Sequence, residues 1–310
     1  MDLLIYEMKH GWKVTILLVL FFLIAQVVGL LIVNKYIDHK ASSLKQETVM
    51  KPLPYNLERP EVENKSSSFV YITISLIIGT VLVLLLVKFN KPAIWRFWFF
   101  FTVVLTLSIA FAAFIDAKIA LVIAIILTLL KLYRQNVITQ NISEIFIYGG
   151  LAAVFVPIMN VFAAFMLLLL ISVYDFIAVF KTKHMIKLAN FQSESKVFAG
   201  LLIPYDNNTS VKTHSRAESK KTVMVESKHP VAVLGGGDIG FTLIFAGVVM
   251  KGLMLQQPES IAFMKTLIIP LFTAISLLFL LIKGQKNKFY PAMPVLSIGC
   301  IIGYFVIWMI

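Results

Sequence analysis

Nine apolar runs follow one another between Trp12 and Ile310, each of a length that fits all or most of a bilayer. Hydrocarbon offers no partner to a backbone N–H or C=O, so each run must satisfy its own peptide groups, and a helix does this within one segment. The runs cover about 12–33, 69–89, 93–115, 119–133, 142–157, 159–180, 231–255, 263–282 and 291–310. With 59% of residues hydrophobic, 14% charged and a mean hydropathy of +0.88, the chain is not a soluble domain. The expected fold class is an all-α polytopic membrane protein of nine transmembrane helices, with the lipid bilayer as its first partner.

The segments between runs divide the chain into residues 1–181 with spans one to six, a loop at 182–230, and residues 231–310 with spans seven to nine. The first loop, about 34–68, mixes Lys with Glu and carries Pro52, Pro54 and Pro60, so it reads as solvated and partly ordered at most. Trp95 and Trp98 open span three where an interface belongs. Gly149 and Gly150 in span five suit close helix approach. Within the long loop, Val197 to Ile203 and Thr222 to Val225 are β-prone and predict a short hairpin near the membrane face, with a mobile polar stretch from Tyr205 to Lys221 between them.

Lys and Arg set the orientation. The N-terminus and the loops after spans two, four, six and eight hold 19 of them, against 9 on the other side. The chain is expected in the cell membrane with its N-terminus and the 182–230 loop cytoplasmic and its C-terminus outside. The net charge of +12 belongs to these short loops and implies no nucleic acid. Cys300, the only cysteine, lies in an apolar run, which excludes a disulfide framework or thiolate metal site. The first run has no small-residue cleavage site before it ends, so it reads as a retained helix.

Two aspartates stand out. Asp175 lies about six residues before the polar sequence at Lys181, and Asp238 about eight residues after Pro230. A carboxylate in hydrocarbon costs several kcal/mol and is usually functional. On antiparallel spans joined by one loop, both fall roughly 9–12 Å below the same membrane face at 1.5 Å rise per residue. Two carboxylates at one depth can share a proton and hold a water between them, as an aspartic protease requires. Neither span offers a Lys or Arg at that depth to make an ordinary ion pair. Gly235, Gly236 and Gly237 precede Asp238; glycines there form helix poorly and leave room for another backbone. Pro291 and Pro294, around Ala292 and Met293, by themselves read as an ordinary helix start. Tyr174 either hydrogen-bonds near the aspartates or anchors span six by packing. His184, among Lys181, Lys183 and Lys187, has no cluster of ligands around it and reads as part of a solvated basic face.

Tyr174-Asp175, Gly235-Gly236-Gly237-Asp238 and Pro291-Ala292-Met293-Pro294, in that order, resemble the YD, GxGD and PAL(P) motifs of the presenilin and signal peptide peptidase family. The run Lys181-Thr182-Lys183-His184-Met185 looks like the archaeal presenilin homologues. Met293 stands where leucine is usual, a swap of similar volume. The resemblance implies an intramembrane aspartyl endopeptidase with Asp175 and Asp238 as its catalytic pair. It implies substrate-site roles for Pro291 to Pro294 beside that pair, and it places Tyr174 and Gly235 to Gly237 with them. It further implies helical membrane proteins as substrates and no metal or organic cofactor, and it leaves room for a homo-oligomer. A prepilin-type peptidase shares GxGD but not the proline motif or nine spans. An ion- or proton-coupled transporter would use the aspartates as a relay and needs more polar residues along a path. A scaffold would need neither aspartate.

Overall fold

The computed structural model describes residues 11–62, 64–89, 91–134, 136–182, 197–204, 231–284 and 290–310. Its elements are α1 (Trp12–Tyr36), α2 (His39–Lys45), α3 (Ser68–Lys88), α4 (Pro92–Ala112), α5 (Ala117–Arg134), α6 (Val137–Phe155), α7 (Val161–Ile177), β1 (Gly200–Pro204), β2 (Val231–Gly235), α8 (Gly236–Leu253), α9 (Glu259–Thr266), α10 (Ile268–Lys283) and α11 (Met293–Met309). Local chemistry sets the boundaries. Asn136 and Asn160 cap α6 and α7 by accepting from the backbone N–H groups of Ile138 (3.1 Å) and Ala163 (2.8 Å). Pro157 ends the run of α6 in a 3-10 turn at Val156–Ile158. Carbonyls freed there are taken by the buried Lys251 of α8, whose Nζ reaches Val156 O at 2.9 Å and Met159 O at 2.5 Å.

Seven helical segments among the described residues are long and apolar enough to cross a membrane: Trp12–Tyr36, Lys65–Lys88, Pro92–Ala112, Val137–Ile158, Val161–Phe180, Gly236–Leu253 and Glu259–Lys283. The expected spans four and nine correspond to α5 and α11. Helix α5 carries Lys118, Lys131 and Arg134 in 18 residues, and α11 is apolar but 17 residues long.

The centre of the bundle is α8, which packs against α1, α6, α7, α9, α10 and α11 and buries nearly every residue from Ile239 to Lys251. Helix α3 is its opposite: none of its membrane-length stretch is buried, and it leans on α7 and α4. Between α1 and α4 sits α6, held there by its glycine pair. A Cβ on Gly149 would meet the Ile32 side chain and come within 3.2 Å of the Gly29 Cα, and one on Gly150 would overlap the Thr106 carbonyl. Only van der Waals contact and hydrogen bonds drive helices together in lipid, so such close approach is where their stability comes from.

Two sequence expectations need correction. Val231 to Gly235 is a strand, where the first residues of a seventh helical span were expected. Its Val-Ala-Val-Leu run suits an extended, half-buried chain, and the glycines that follow start the helix only at Gly236. An antiparallel pair of strands is present, with β1 from within Val197 to Ile203 and one residue beyond, and its partner is β2 at Val231–Gly235. The strand expected at Thr222 to Val225, the stretch expected to be mobile before it, and His184 lie outside the described residues. The first loop is more ordered than its composition suggested. Its Ile37 bridges Met50, its Leu53 is buried, its Arg59 donates to Lys51 O at 2.8 Å over the Tyr36 ring, and the Tyr55 hydroxyl donates to Ala117 O at 2.6 Å.

Candidate active site

Asp175 sits in the last turn of α7, just before a π-helical turn at Ala178–Thr182. Such turns recur at functional sites. Its Oδ2 accepts the backbone N–H of Met293 at 3.0 Å, and the N–H of Ala292 also bonds to it. The reason is in the proline motif. The first N–H groups of α11 have no partner within their own helix, Pro294 has none to offer, and a carboxylate placed at a helix start also meets the positive end of its dipole. One turn back, the hydroxyls of Ser172 and Ser297 bond at 2.8 Å and pin α7 to α11.

Asp238 sits in the first turn of α8. Strand β2 runs straight into that turn: Gly235 ends the strand in extended conformation and caps the helix, and Gly236 N–H donates back to Ala199 O at 3.3 Å. From α1, the buried Gln26 amide donates to Ile239 O at 3.0 Å and Thr242 Oγ1 at 2.8 Å. Helices α7 and α8 pack together, and both carboxylates are half-buried.

The three glycines before Asp238 have different surroundings. A Cβ on Gly235 would stand 3.2 Å from Asp238 Oδ2. One on Gly236 would stand 2.5 Å from the Tyr148 hydroxyl and 3.0 Å from its Cε1. One on Gly237 would make ordinary contact with the Phe241 ring at 3.6 Å.

The two strands differ in which edge is taken. Helix α6 covers the outer edge of β1: Asn141 both donates to Leu202 O and accepts from Leu202 N–H, each at 2.8 Å, and Gln140 donates to Gly200 O at 3.0 Å. Both polar groups of Leu202 thus point away from β2. Its partner in register is Val233, so that pair carries no ladder bonds, and the Val233 N–H and C=O face outward on the far edge of β2. No described residue bonds to them from that side. Leu201, Ile203, Ala232 and Leu234 bury the other face of the sheet.

Of the residues singled out in the sequence, Asp175, Met293 and Ala292 meet directly, and Asp238 with Gly235 adjoins them through α7 and α8. Tyr174 does not join them: its hydroxyl lies 3.4 Å from Thr80 Oγ1 on α3. Sequence reasoning missed the polar face of α6. Glu144, 1% exposed, accepts from Lys131 of α5, from Gln140 at 2.9 Å and from the Tyr148 hydroxyl. Gln140, Asn141, Glu144 and Tyr148 recur at helical spacing, a signal obscured by starting the fifth span at residue 142.

A half-buried carboxylate pair inside a membrane bundle, one carboxylate ending a helix and the other starting the next, is chemically suited to share one proton, as the aspartic-protease class does. The family model described as signal-peptide peptidase, presenilin aspartyl protease matches residues 19–310, and the chain belongs to that family of intramembrane aspartyl endopeptidases. Two solved structures of a presenilin family intramembrane aspartate protease, from crystals in space groups C222 and P2, share its fold. Their TM-scores are 0.59 and 0.55 at 19% and 21% identity, covering 95% and 94% of this chain and 98% and 96% of theirs. No curated protein matches the chain.

Proposed function

We propose that the chain hydrolyses peptide bonds within transmembrane segments of membrane proteins, with Asp175 and Asp238 as the catalytic dyad. The observation that carries this reading is the Met293 N–H on Asp175, which brings the proline motif to one carboxylate while β2 and its glycines deliver the other. One carboxylate acts ionised and the other protonated. The ionised one takes a proton from water, whose oxygen attacks the scissile carbonyl carbon, and the protonated one gives its proton to the carbonyl oxygen. Collapse of the resulting diol breaks the C–N bond as a proton passes to the leaving nitrogen. Water is the second substrate, and the scheme uses no metal or organic cofactor.

In this reading Gly235 to Gly237 and Pro291 to Pro294 line the substrate site, and Tyr174 marks its α3 side. Residues 1–181 and 231–310 each bring one aspartate, and the 182–230 segment joins them on the cytoplasmic side. All nine helices span the cell membrane, including α5, whose Lys131 is buried against Glu144 and so carries no naked charge into lipid. Opposite the outer edge of β1, the open edge of β2 offers replacement hydrogen bonds to a substrate helix that has unwound, as β-augmentation does.

The test is the purified protein in detergent with a single-span peptide substrate. Asp175→Ala and Asp238→Ala each abolish cleavage while remaining folded, and Asp→Glu fails at either position because an added methylene misplaces the oxygens. Aspartyl transition-state analogues inhibit, and chelators do not. Substantial turnover by either alanine variant refutes the assignment.

A further inference from the structure

The turn that carries Asp238 is built from glycine. Gly235, Gly236 and Gly237 have no side chains to stiffen it, and the helix start has no side-chain cap. A carboxylate held on such a turn does not keep the sub-ångström placement that catalysis requires unless neighbours impose it. On the α6 side one neighbour does. The Tyr148 ring, 5% exposed, fills the space that a side chain at Gly236 would occupy, and its Cδ1 lies within van der Waals reach of a Cβ at Gly240, one turn on. The ring is itself fixed by its hydroxyl, which donates to Glu144 Oε2. Glu144 is held in turn at Oε1 by Lys131 and Gln140, and the Gln140 amide also reaches Phe198 O and Gly200 O, each at 3.0 Å. These groups are buried together, where polar contacts are strongest and a lost partner is costly.

We infer that Tyr148 is a positioning residue for Asp238: anchored on Glu144, its ring braces the first turn of α8 and sets where the carboxyl points. The inference rests on the reading of Asp238 as catalytic. It assigns a use to a buried Lys–Glu pair that the hydrolytic scheme does not employ. It also gives a reason for glycine at the middle position of the Gly-x-Gly-Asp motif in this chain, since the tyrosine supplies from α6 the bulk that position lacks.

Tyr148→Phe keeps the ring and removes the anchor. With a fluorescent single-span transmembrane peptide, the expected result is a fall in kcat of roughly 10- to 100-fold with KM unchanged, beside a lower thermal midpoint because the buried Glu144 loses a donor. Asp238→Ala is measured beside it. An inactive Asp238→Ala with a fully active Tyr148→Phe overturns the positioning role and leaves the dyad intact, whereas an active Asp238→Ala overturns the dyad itself. A fall in Tyr148→Phe that appears in KM alone also overturns the positioning role. If Tyr148→Phe does not fold because Glu144 loses a donor, the comparison is repeated with Lys131→Met and Glu144→Gln in place, which leaves no buried charge. Against that background the same drop in kcat from tyrosine to phenylalanine is expected, and equal kcat values refute the inference.

Discussion

Met293 gives its backbone N–H to Asp175 Oδ2 at 3.0 Å, across 118 residues of sequence. The contact belongs to the peptide group, so it depends on the residue only through whether an N–H exists. Met293→Leu therefore leaves cleavage near its original rate. Met293→Pro deletes the donor at a helix start, where proline is otherwise tolerated. A hydrogen bond to a charged group contributes about 1.5–3 kcal/mol, so the rate should fall roughly 10- to 100-fold. Met293→Ala serves as the control for the lost side chain. Equal rates for the proline and alanine variants at matched thermal stability would show that the N–H is dispensable.

The glycines before Asp238 should not be equivalent. Gly236→Ala drives a methyl into Tyr148, and Gly235→Ala presses one against the Asp238 carboxyl. Both should reduce cleavage by about tenfold or more, on the scale that small misplacements cost. Gly237→Ala meets only the Phe241 ring at ordinary contact distance and should cost little. Cleavage rates of the three variants check the order, and a Gly237→Ala variant as impaired as Gly236→Ala would contradict it.

The open edge of β2 gives a third prediction. Val233→Pro removes an N–H that faces away from β1, so the pairing of the two strands survives while a docking substrate loses a donor. Val233→Ala keeps the N–H and loses only an exposed side chain. Cleavage should fall severalfold or more in the proline variant relative to alanine, at about 0.5–1.5 kcal/mol for one backbone hydrogen bond. Indistinguishable rates would remove β2 as the docking edge.

Topology is open to direct measurement. A reporter inserted within residues 207 to 219 should report the cytoplasm, and one fused after Ile310 the outside. The reverse result would turn the active site toward the other face and change the end of the substrate that is cut.

The two aspartates and the proline motif were legible because each is a polar or helix-breaking anomaly in apolar sequence, and anomalies there are costly. The spans themselves were legible for the same reason. Their ends were not always so: Val231 to Gly235 has the hydropathy of a membrane helix, and only its pairing with β1, some thirty residues earlier, makes it a strand. Tyr174 could not be resolved because a tyrosine beside an aspartate on a helix points to a different side, here to Thr80. Tyr148 and Glu144 were invisible as a unit because Lys131, which neutralises Glu144, comes from another helix. Of the three partners of Glu144, Gln140 and Tyr148 share its helix and only Lys131 comes from another, and single-sequence periodicity shows one face at a time.

Strand β2 passes into α8 without a linking residue, and four residues lie between Val233 and Asp238. The distance between the pairing edge and the carboxyl is therefore kept short by the chain and held constant by the neighbours that brace the glycine turn, as the spacing of marks on a ruler is. For any polypeptide that docks on that edge, the bond presented to water is decided by which of its residues lies opposite Val233. Choice of cut would then be a choice of frame: side chains compete over how the strand is seated, and the site counts off a constant interval from there. Such an enzyme tolerates many sequences at the bond it breaks, because it measures position and has little need to recognise the residues on either side.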